Sequence, residues 1–252
     1  MDKGLIRRRF ARAAGTYAKN AGMQCRVAEE MTGRIEQYVP KIFRNRVLEV
    51  GCGTGIFTRM YRNRFHPERL FLNDICPEMN TWVSDFCGEN TAFLPGDAEA
   101  LDFPSGLGMV VSCSTVQWFE NPERFFSRIR SHLVAGGYLA FSTFGEKNML
   151  EVAELSGVSL PYIPFERLKN ILHQYYTVEY SREEINTLSF LSPYDVLKHL
   201  KATGVTGITS SRWTRNALAD FCRDYERKYS DGNGKVTLTY HPLYFICKTR
   251  CL

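Results

Sequence analysis

The sequence of 252 residues is short of several features that would fix a class at once. None of its eight cysteines (Cys25, Cys52, Cys76, Cys87, Cys113, Cys222, Cys247, Cys251) forms a C-x-x-C pair. No two of its five histidines stand four residues apart. Zinc-finger, thioredoxin-like and H-E-x-x-H chemistry are therefore not expected, and no metal is. No apolar run approaches the roughly 20 residues that cross a bilayer. The opening MDKGLIRRRF has positive charge but no apolar stretch behind it, so no secretory signal is expected and a cytoplasmic location is. There is no internal repeat and no low-complexity segment. A hydrophobic content of 44% and a charged content of 23% are ordinary for a globular chain. The length suits one core domain carrying an insertion or lid.

Charge is present but uneven. Residues 1–46 hold eleven Lys/Arg against four Asp/Glu, while the whole chain is only +5. A basic N-terminal arm points to an acidic partner or an anionic substrate.

Hydrophobic periodicity sets the architecture. Residues 5–38 read as helical, with Val27, Met31 and Ile35 four apart and Pro40 ending the run. Strands are expected at 47–50, 70–72, 92–94, 109–113 and 138–144. Helices are expected between them at 56–64, at 77–86 behind Pro77, and at 122–133 behind an Asn121 cap. Five alternations imply a parallel sheet covered on both faces. After Phe144 the alternation stops. Residues 148–180 read as mostly helical and 179–190 as two short strands. Ser192 caps a further helix that ends before Gly204, and 217–229 forms another. Residues 236–240 and 243–247 are expected as terminal strands of the core sheet, one at an antiparallel edge. The domain reading is a helical arm at 1–40, a ligand-binding core at 41–146, an insertion or lid at 147–203 and a C-terminal part of the core at 204–252.

The sharpest chemical signal is VLEVGCGTG at 47–55. A buried strand delivers Glu49, then a turn with Gly51, Gly53 and Gly55, then a helix whose N-terminal amides face the ligand. Such turns lie at the carboxyl ends of parallel strands, where ligands bind. The dinucleotide fingerprint G-x-G-x-x-G is not met, because Ile56 holds its last position. Glu49 is a poor companion for a pyrophosphate and suits a ligand with a positive amino group and a sulfonium. Asp74 ends the second strand, about 20 residues on, where a carboxylate can accept from both ribose hydroxyls. Asp97 in GDAE can accept from the adenine amine beside the Ala98 amide. Ile75 and Met79 can pack on the ring. Cys52 within the turn and Ser112 at the fourth strand complete the cofactor-binding set. Tyr17 and Gln24, seven residues apart on the arm, can close over the donor if the helix is continuous. Gln117 and Trp118, after the fourth strand, can position and wall an acceptor.

The order VLEVGCGTG, Asp74, Gly96-Asp97 and Gly136-Gly137 resembles the class I S-adenosylmethionine-dependent methyltransferases over residues 40–145. A narrower set, FARAAGTYAKNAGMQ at 10–24, SCSTVQWF at 112–119, LAFSTFGEKNMLEVAEL at 139–155 and LTYHPLY at 238–244, is similar to the malonyl-[acyl-carrier protein] O-methyltransferases of biotin synthesis. Residues 156–180 depart from that family's pattern, which leaves the lid open. The resemblance implies a doubly wound, mostly parallel seven-stranded sheet and S-adenosylmethionine as methyl donor. It also implies esterification of a malonyl carboxylate on acyl carrier protein, giving the methyl ester that primes pimeloyl synthesis. The carrier would dock on the basic arm, and a cation such as Arg12 would grip the acceptor carboxylate. Arg7, Arg8, Arg9, Arg167 and Arg182 are alternatives to Arg12. A carboxylate is already ionised at neutral pH, so no general base is needed. Rival readings are a methyltransferase for a small acid or quinone-like ring, a nucleic-acid methyltransferase, and a non-catalytic donor-binding protein. No RNA-binding module and no Asn-Pro-Pro-Tyr-like element supports the nucleic-acid reading.

Overall fold

A computed structural model describes residues 2–204 and 214–250. Cys251 and the 205–213 part of the expected C-terminal segment lie outside them. Nine strands are described: β1 (Arg46–Val50), β2 (Arg69–Asp74), β3 (Thr91–Pro95), β4 (Leu107–Cys113), β5 (Leu133–Phe144), β6 (Tyr176–Glu183), β7 (Asn186–Phe190), β8 (Val236–Tyr240) and β9 (Pro242–Thr249). Seven of them form one sheet in the order β3-β2-β1-β4-β5-β9-β6. The first five are parallel, and β9 runs antiparallel between β5 and β6. Val47, Leu48 and Val50 are fully buried, as befits a central strand covered on both faces.

The helices are α1 (Lys3–Asn20), α2 (Gly22–Tyr38), α3 (Ile56–Phe65), α4 (Asn80–Val83), α5 (Pro122–Ile129), α6 (Leu150–Ser156), α7 (Phe165–Tyr175), α8 (Pro193–Ala202) and α9 (Arg215–Tyr229). One face of the sheet packs on α2 and α3 through Met31, Ile35 and Tyr61. The other packs on α5 and α7 through Phe125, Phe126 and Leu172. The sheet is thus doubly wound. Val27, Met31 and Ile35 are each within 1% of complete burial, and each such side chain contributes roughly 1.5–3 kcal/mol. Caps read from sequence are formed: Asn121 Oδ1 accepts from the Arg124 amide at 2.9 Å and Ser192 Oγ from the Asp195 amide at 3.2 Å.

Four expectations are corrected. The arm is two helices. Asn20 Nδ2 donates to the Thr16 carbonyl at 2.8 Å, Ala21 leaves helical geometry at ψ 35° in a buried corner, and Gly22 restarts the chain. Residues 77–86 form short 3₁₀ and α turns rather than one helix. Residues 176–183 form the outer strand β6, because Tyr176 is fully buried and its hydroxyl donates to the Phe126 carbonyl at 2.7 Å. Residues 236–240 do not join the main sheet. They pair with β7 in a separate two-stranded antiparallel sheet. Glu151 explains this: it accepts from the Thr239 amide at 2.9 Å and hydroxyl at 2.7 Å, holding β8 against α6.

Candidate functional site

The strand order reverses beside β1, whose neighbours are β2 and β4. At such a switch point the connections leave in opposite directions and a crevice opens at the carboxyl ends of the strands. That crevice contains Glu49, Gly51, Cys52, Gly53, Asp74, Ile75, Met79, Asp97 and Ala98, as well as Tyr17, Gln24 and Trp118.

The turn after β1 is held from β2. The Gly51 and Cys52 amides donate to the Asn73 carbonyl at 2.8 and 2.9 Å, and the Gly53 amide donates to Asp74 Oδ2 at 2.8 Å. Gly51 lies at φ +74°, and a Cβ there would fall inside the Thr115 side chain. Gly53, at φ +52°, has open space where its Cβ would be. The first glycine therefore lets β4's exit loop approach, and the second leaves room for a ligand. Gly55 does not line the crevice; it starts α3 in left-handed geometry against Val83 and Phe86. Ser112 is also set back, fully buried, its hydroxyl donating to the Val50 carbonyl at 2.9 Å. It ties two strands together rather than facing the ligand.

Glu49 is 2% exposed and accepts from the Thr58 hydroxyl at 2.7 Å. Burial pushes its carboxyl up to about 8, against the lowering effect of Thr58 and with a small push from Asp74. Burial also raises Asp74, opposed by the Cys76 and Gly53 amides that donate to it. Two carboxyls this deep, with no Lys or Arg against them among the described residues, suit a cationic ligand. Gln24 Oε1 and Thr54 Oγ1 are buried without a hydrogen-bond partner in the same crevice. Those orphaned acceptors, the open flank of Gly53 and the two carboxyls fit a nucleoside sulfonium with an amino-acid tail.

The arm roofs the crevice. Ile6, Phe10, Ala14 and Tyr17 fall along one face of α1 and line it. Phe10 meets Trp118 edge-on at 5.3 Å. Lys3 Nζ, which sequence reasoning missed, lies 2.6 Å from both Asp97 Oδ2 and Glu99 Oε2, and Arg7 lies 3.0 Å from Glu78. Asp97 thus already has a cationic partner from the arm. Tyr17 and Gln24 both reach the crevice, but through the corner at Ala21 and not through one helix face.

A smaller chamber adjoins the crevice and shares Phe10, Tyr17, Gln24, Ser114 and Trp118 with it. Its remaining polar wall is Gln117, Asn148, Tyr162, Thr203 and Tyr240. Among the described residues no Asp, Glu, His, Lys or Arg lines it. Gln117 Nε2 donates to the Ser114 carbonyl at 2.7 Å, and Gln117 Oε1 accepts from Thr143 at 3.2 Å. Asn148 Nδ2 donates to the Tyr162 hydroxyl at 2.8 Å. Burial pushes that phenol up to about 12, keeping it a neutral donor. Tyr240 is 2.8 Å from His199, whose pKa burial lowers. Ser114 (φ +55°) and Met149 (φ +56°) hold left-handed conformations at the chamber wall, strain of the kind found at functional sites. Arg12 lies outside both spaces, on the wall of a larger groove, and Arg182 pairs with Glu184. Among the described residues, therefore, no arginine lines the chamber. Tyr162 and Asn148 carried no motif signal beyond lying in PYIPF and FGEKNML.

Residues 48–141 match the family model described as a methyltransferase domain. A malonyl-[acyl-carrier protein] O-methyltransferase of Bacteroides fragilis is 47% identical over 99% of the chain, which spans about half (51%) of that relative's length. Relatives of the same name from Bacteroides helcogenes and Haemophilus influenzae are 44% and 33% identical, matching 100% and 95% of their own lengths and 99% and 98% of this chain. An S-adenosylmethionine-dependent methyltransferase of Mesorhizobium loti has the same fold, with a TM-score of 0.54 at 15% identity over 86% of this chain and 96% of that one. So does a Haemonchus contortus phosphoethanolamine N-methyltransferase in complex with S-adenosyl-L-methionine, at a TM-score of 0.56 and 15% identity over 88% of this chain and 53% of that one. With relatives matched along their whole length and a crevice built for a sulfonium nucleoside, this chain belongs to the malonyl-[acyl-carrier protein] O-methyltransferases, a family of S-adenosylmethionine-dependent enzymes.

Proposed function

We propose that the chain methylates the free carboxylate of a malonyl group carried on acyl carrier protein, yielding a malonyl methyl ester for pimeloyl synthesis in the cytoplasm. The observation that carries this reading is the chamber beside the donor crevice: among the described residues its walls offer hydroxyls and amides but no ionised side chain. When bound, S-adenosylmethionine supplies an electrophilic methyl group on a sulfonium. Glu49 and Gln24 would hold its amino-acid end, Asp74 the ribose, and Asp97, Ala98, Ile75 and Met79 the adenine.

The acceptor oxygen forms its bond to the methyl carbon, the carbon–sulfur pair stays on sulfur, and no proton moves. Negative carboxylate and positive sulfonium cancel as the reaction proceeds. An arginine clamp would hold the charged ground state more strongly than the less charged transition state and so slow transfer. Neutral donors such as the Tyr17 and Tyr162 hydroxyls orient the carboxylate without that penalty. Alignment in a closed chamber can supply roughly 7–11 kcal/mol in favourable cases.

The carrier is acidic, and the arm would steer it. Lys3, Arg7 and Arg34 are engaged by carboxylates of the chain itself. Arg8 and Arg12 are exposed on α1. Rim charges act chiefly on encounter rate. Arg8→Glu should therefore raise KM for the carrier substrate at low salt and leave donor affinity unchanged; an unchanged KM removes α1 as the dock.

The direct test incubates the chain with methyl-labelled donor and malonyl, succinyl or acetyl carrier protein. Base-labile label on the malonyl form supports the reading. Label only on small free acids, or no label at all, overturns it.

A further inference from the structure

A third space lies between α1, α6, α8 and α9, with a volume of about 1440 Å³. It shares Asn148, Met149 and Tyr162 with the acceptor chamber. Donor crevice, chamber and groove thus lie side by side, each sharing lining residues with the next. Val152 and Ala153 from α6, Leu197 from α8 and Leu218 from α9 give the groove apolar lining. Its border carries Arg12 on α1 and Lys198 and Lys201 one helical turn apart on α8, all exposed. Among the described residues none of these three cations has a carboxylate within ion-pair distance. The acidic side chains on the opposite wall do have partners: Asp220 lies 2.9 Å from Arg223, and Asp224 lies 2.9 Å from Arg227. The uncompensated charge on the groove is therefore positive.

A space that shares neutral polar residues with the chamber and also carries apolar side chains and unpaired cations selects a particular kind of ligand. It fits a long, flexible chain with a small polar head, an uncharged body and an anion at its far end. We propose that this groove receives the arm on which the malonyl group travels. The thioester would lie at Asn148 and Tyr162, the amide-bearing body along α6, and the phosphodiester at the arm's base against Arg12, Lys198 and Lys201. This rests on the carrier-borne malonate reading and adds to it the route by which the acceptor enters. It also agrees with a chamber that no arginine lines among the described residues: the cations act on the arm's phosphate and not on the carboxylate that must react.

Two variants test the groove. Lys198→Glu/Lys201→Glu reverses the groove's charge, and Ala153→Trp narrows it at its apolar lining. Each is compared with the parent chain for affinity, by calorimetry, toward malonyl carrier protein and toward the same carrier lacking its arm. Turnover is measured on malonyl carrier protein and on a short malonyl thioester that has no phosphate. The groove predicts that the parent binds the armed carrier at least tenfold more tightly than the armless one. Ala153→Trp should bring that ratio near one, and the charge reversal should cut it severalfold. KM for the carrier substrate should rise about tenfold in both, with donor affinity and activity on the short thioester within twofold of the parent. Equal affinity of the parent for armed and armless carrier overturns the groove. So does an unchanged ratio in both variants. If the parent methylates neither malonyl substrate, the functional reading fails and the groove with it; if it methylates both while the variants match it, the groove alone fails.

Discussion

In the donor half of the crevice, Glu49 and Asp74 sit on adjacent strands and a nine-residue stretch, 47–55, supplies the turn between them. In the acceptor half, Tyr17, Gln117, Asn148, Tyr162 and Tyr240 arrive from five separated segments, and their hydrogen bonds run mostly to one another's neighbourhoods: Gln117 to Ser114, Asn148 to Tyr162, Tyr240 to His199. The donor half is deep and lined by two buried carboxyls. Among the described residues the acceptor half is polar and uncharged. One half has to bind a cation that persists in the free donor, whereas the other has to surround a place where opposite charges vanish. The first task calls for carboxylates fixed by a rigid turn, and the second for donors that favour neither charge state strongly.

The sharpest way to break this contrast is Asp74→Ala. It removes the acceptor for the Gly53 and Cys76 amides as well as the ribose partner. Donor affinity should fall about a hundredfold, near the upper end of the roughly 1.5–3 kcal/mol expected for hydrogen bonds to charged groups. Calorimetry that finds near-parental binding in a folded variant would sink the donor half as described.

Glu49→Gln should act in two directions. Donor affinity should drop about tenfold or more, for the same reason. The ligand-free chain should become more stable at pH 8. The sign follows from linkage: the carboxyl has a pKa near 4.3 when unfolded, on the order of model peptides, and about 8 when folded. Between those values the folded chain binds more protons than the unfolded one, so stability falls as pH rises through that window. Glutamine removes that loss. Thermal melts of both forms at pH 5 and pH 8 check it, and a variant equally destabilised at both refutes it.

The same carboxyl makes donor binding depend on pH. The cationic donor favours the ionised form, so affinity should rise with pH up to about 8, then level off, with proton uptake by buffer on binding below that point. A flat profile from pH 6 to 9 would mean that Glu49 is not the group facing the cation.

Tyr162→Phe probes the acceptor half. Donor affinity should stay within twofold while kcat/KM for the malonyl substrate falls roughly two- to tenfold, the scale of one neutral hydrogen bond of about 0.5–1.5 kcal/mol. A loss of donor affinity instead would merge the two halves. The smallest effect belongs to Lys3→Ala. Its ion pairs with Asp97 and Glu99 are half-buried, so about 0.5–1 kcal/mol and a two- to fivefold faster donor release are expected by stopped flow.

Much of the donor half was legible because it is local. A strand, a glycine turn and a helix start are encoded within a dozen residues, and Asp74 follows at the end of the next strand. The chain could not announce Ser112's inward turn or Gly55's set-back place, since both depend on which face of a strand or turn meets a neighbour. The acceptor half was hardly visible at all. Tyr162, Asn148 and Tyr240 are ordinary residues in ordinary contexts, and only the attachment of the 145–151 loop to residues 239–241 gathers them.

By itself the sequence determined the alternation of strands and helices, the turn after β1 and the excess of positive charge at the start, because periodicity, glycine and charge act over short distances along the chain. Only tertiary structure decided that the arm bends at Ala21 to roof the crevice, that β8 leaves the main sheet, and that Asn148, Tyr162 and Tyr240 meet at the chamber. Those outcomes depend on burial and on contacts between segments far apart in the chain, such as Glu151 and Thr239, 88 residues from one another, and no local pattern carries that information.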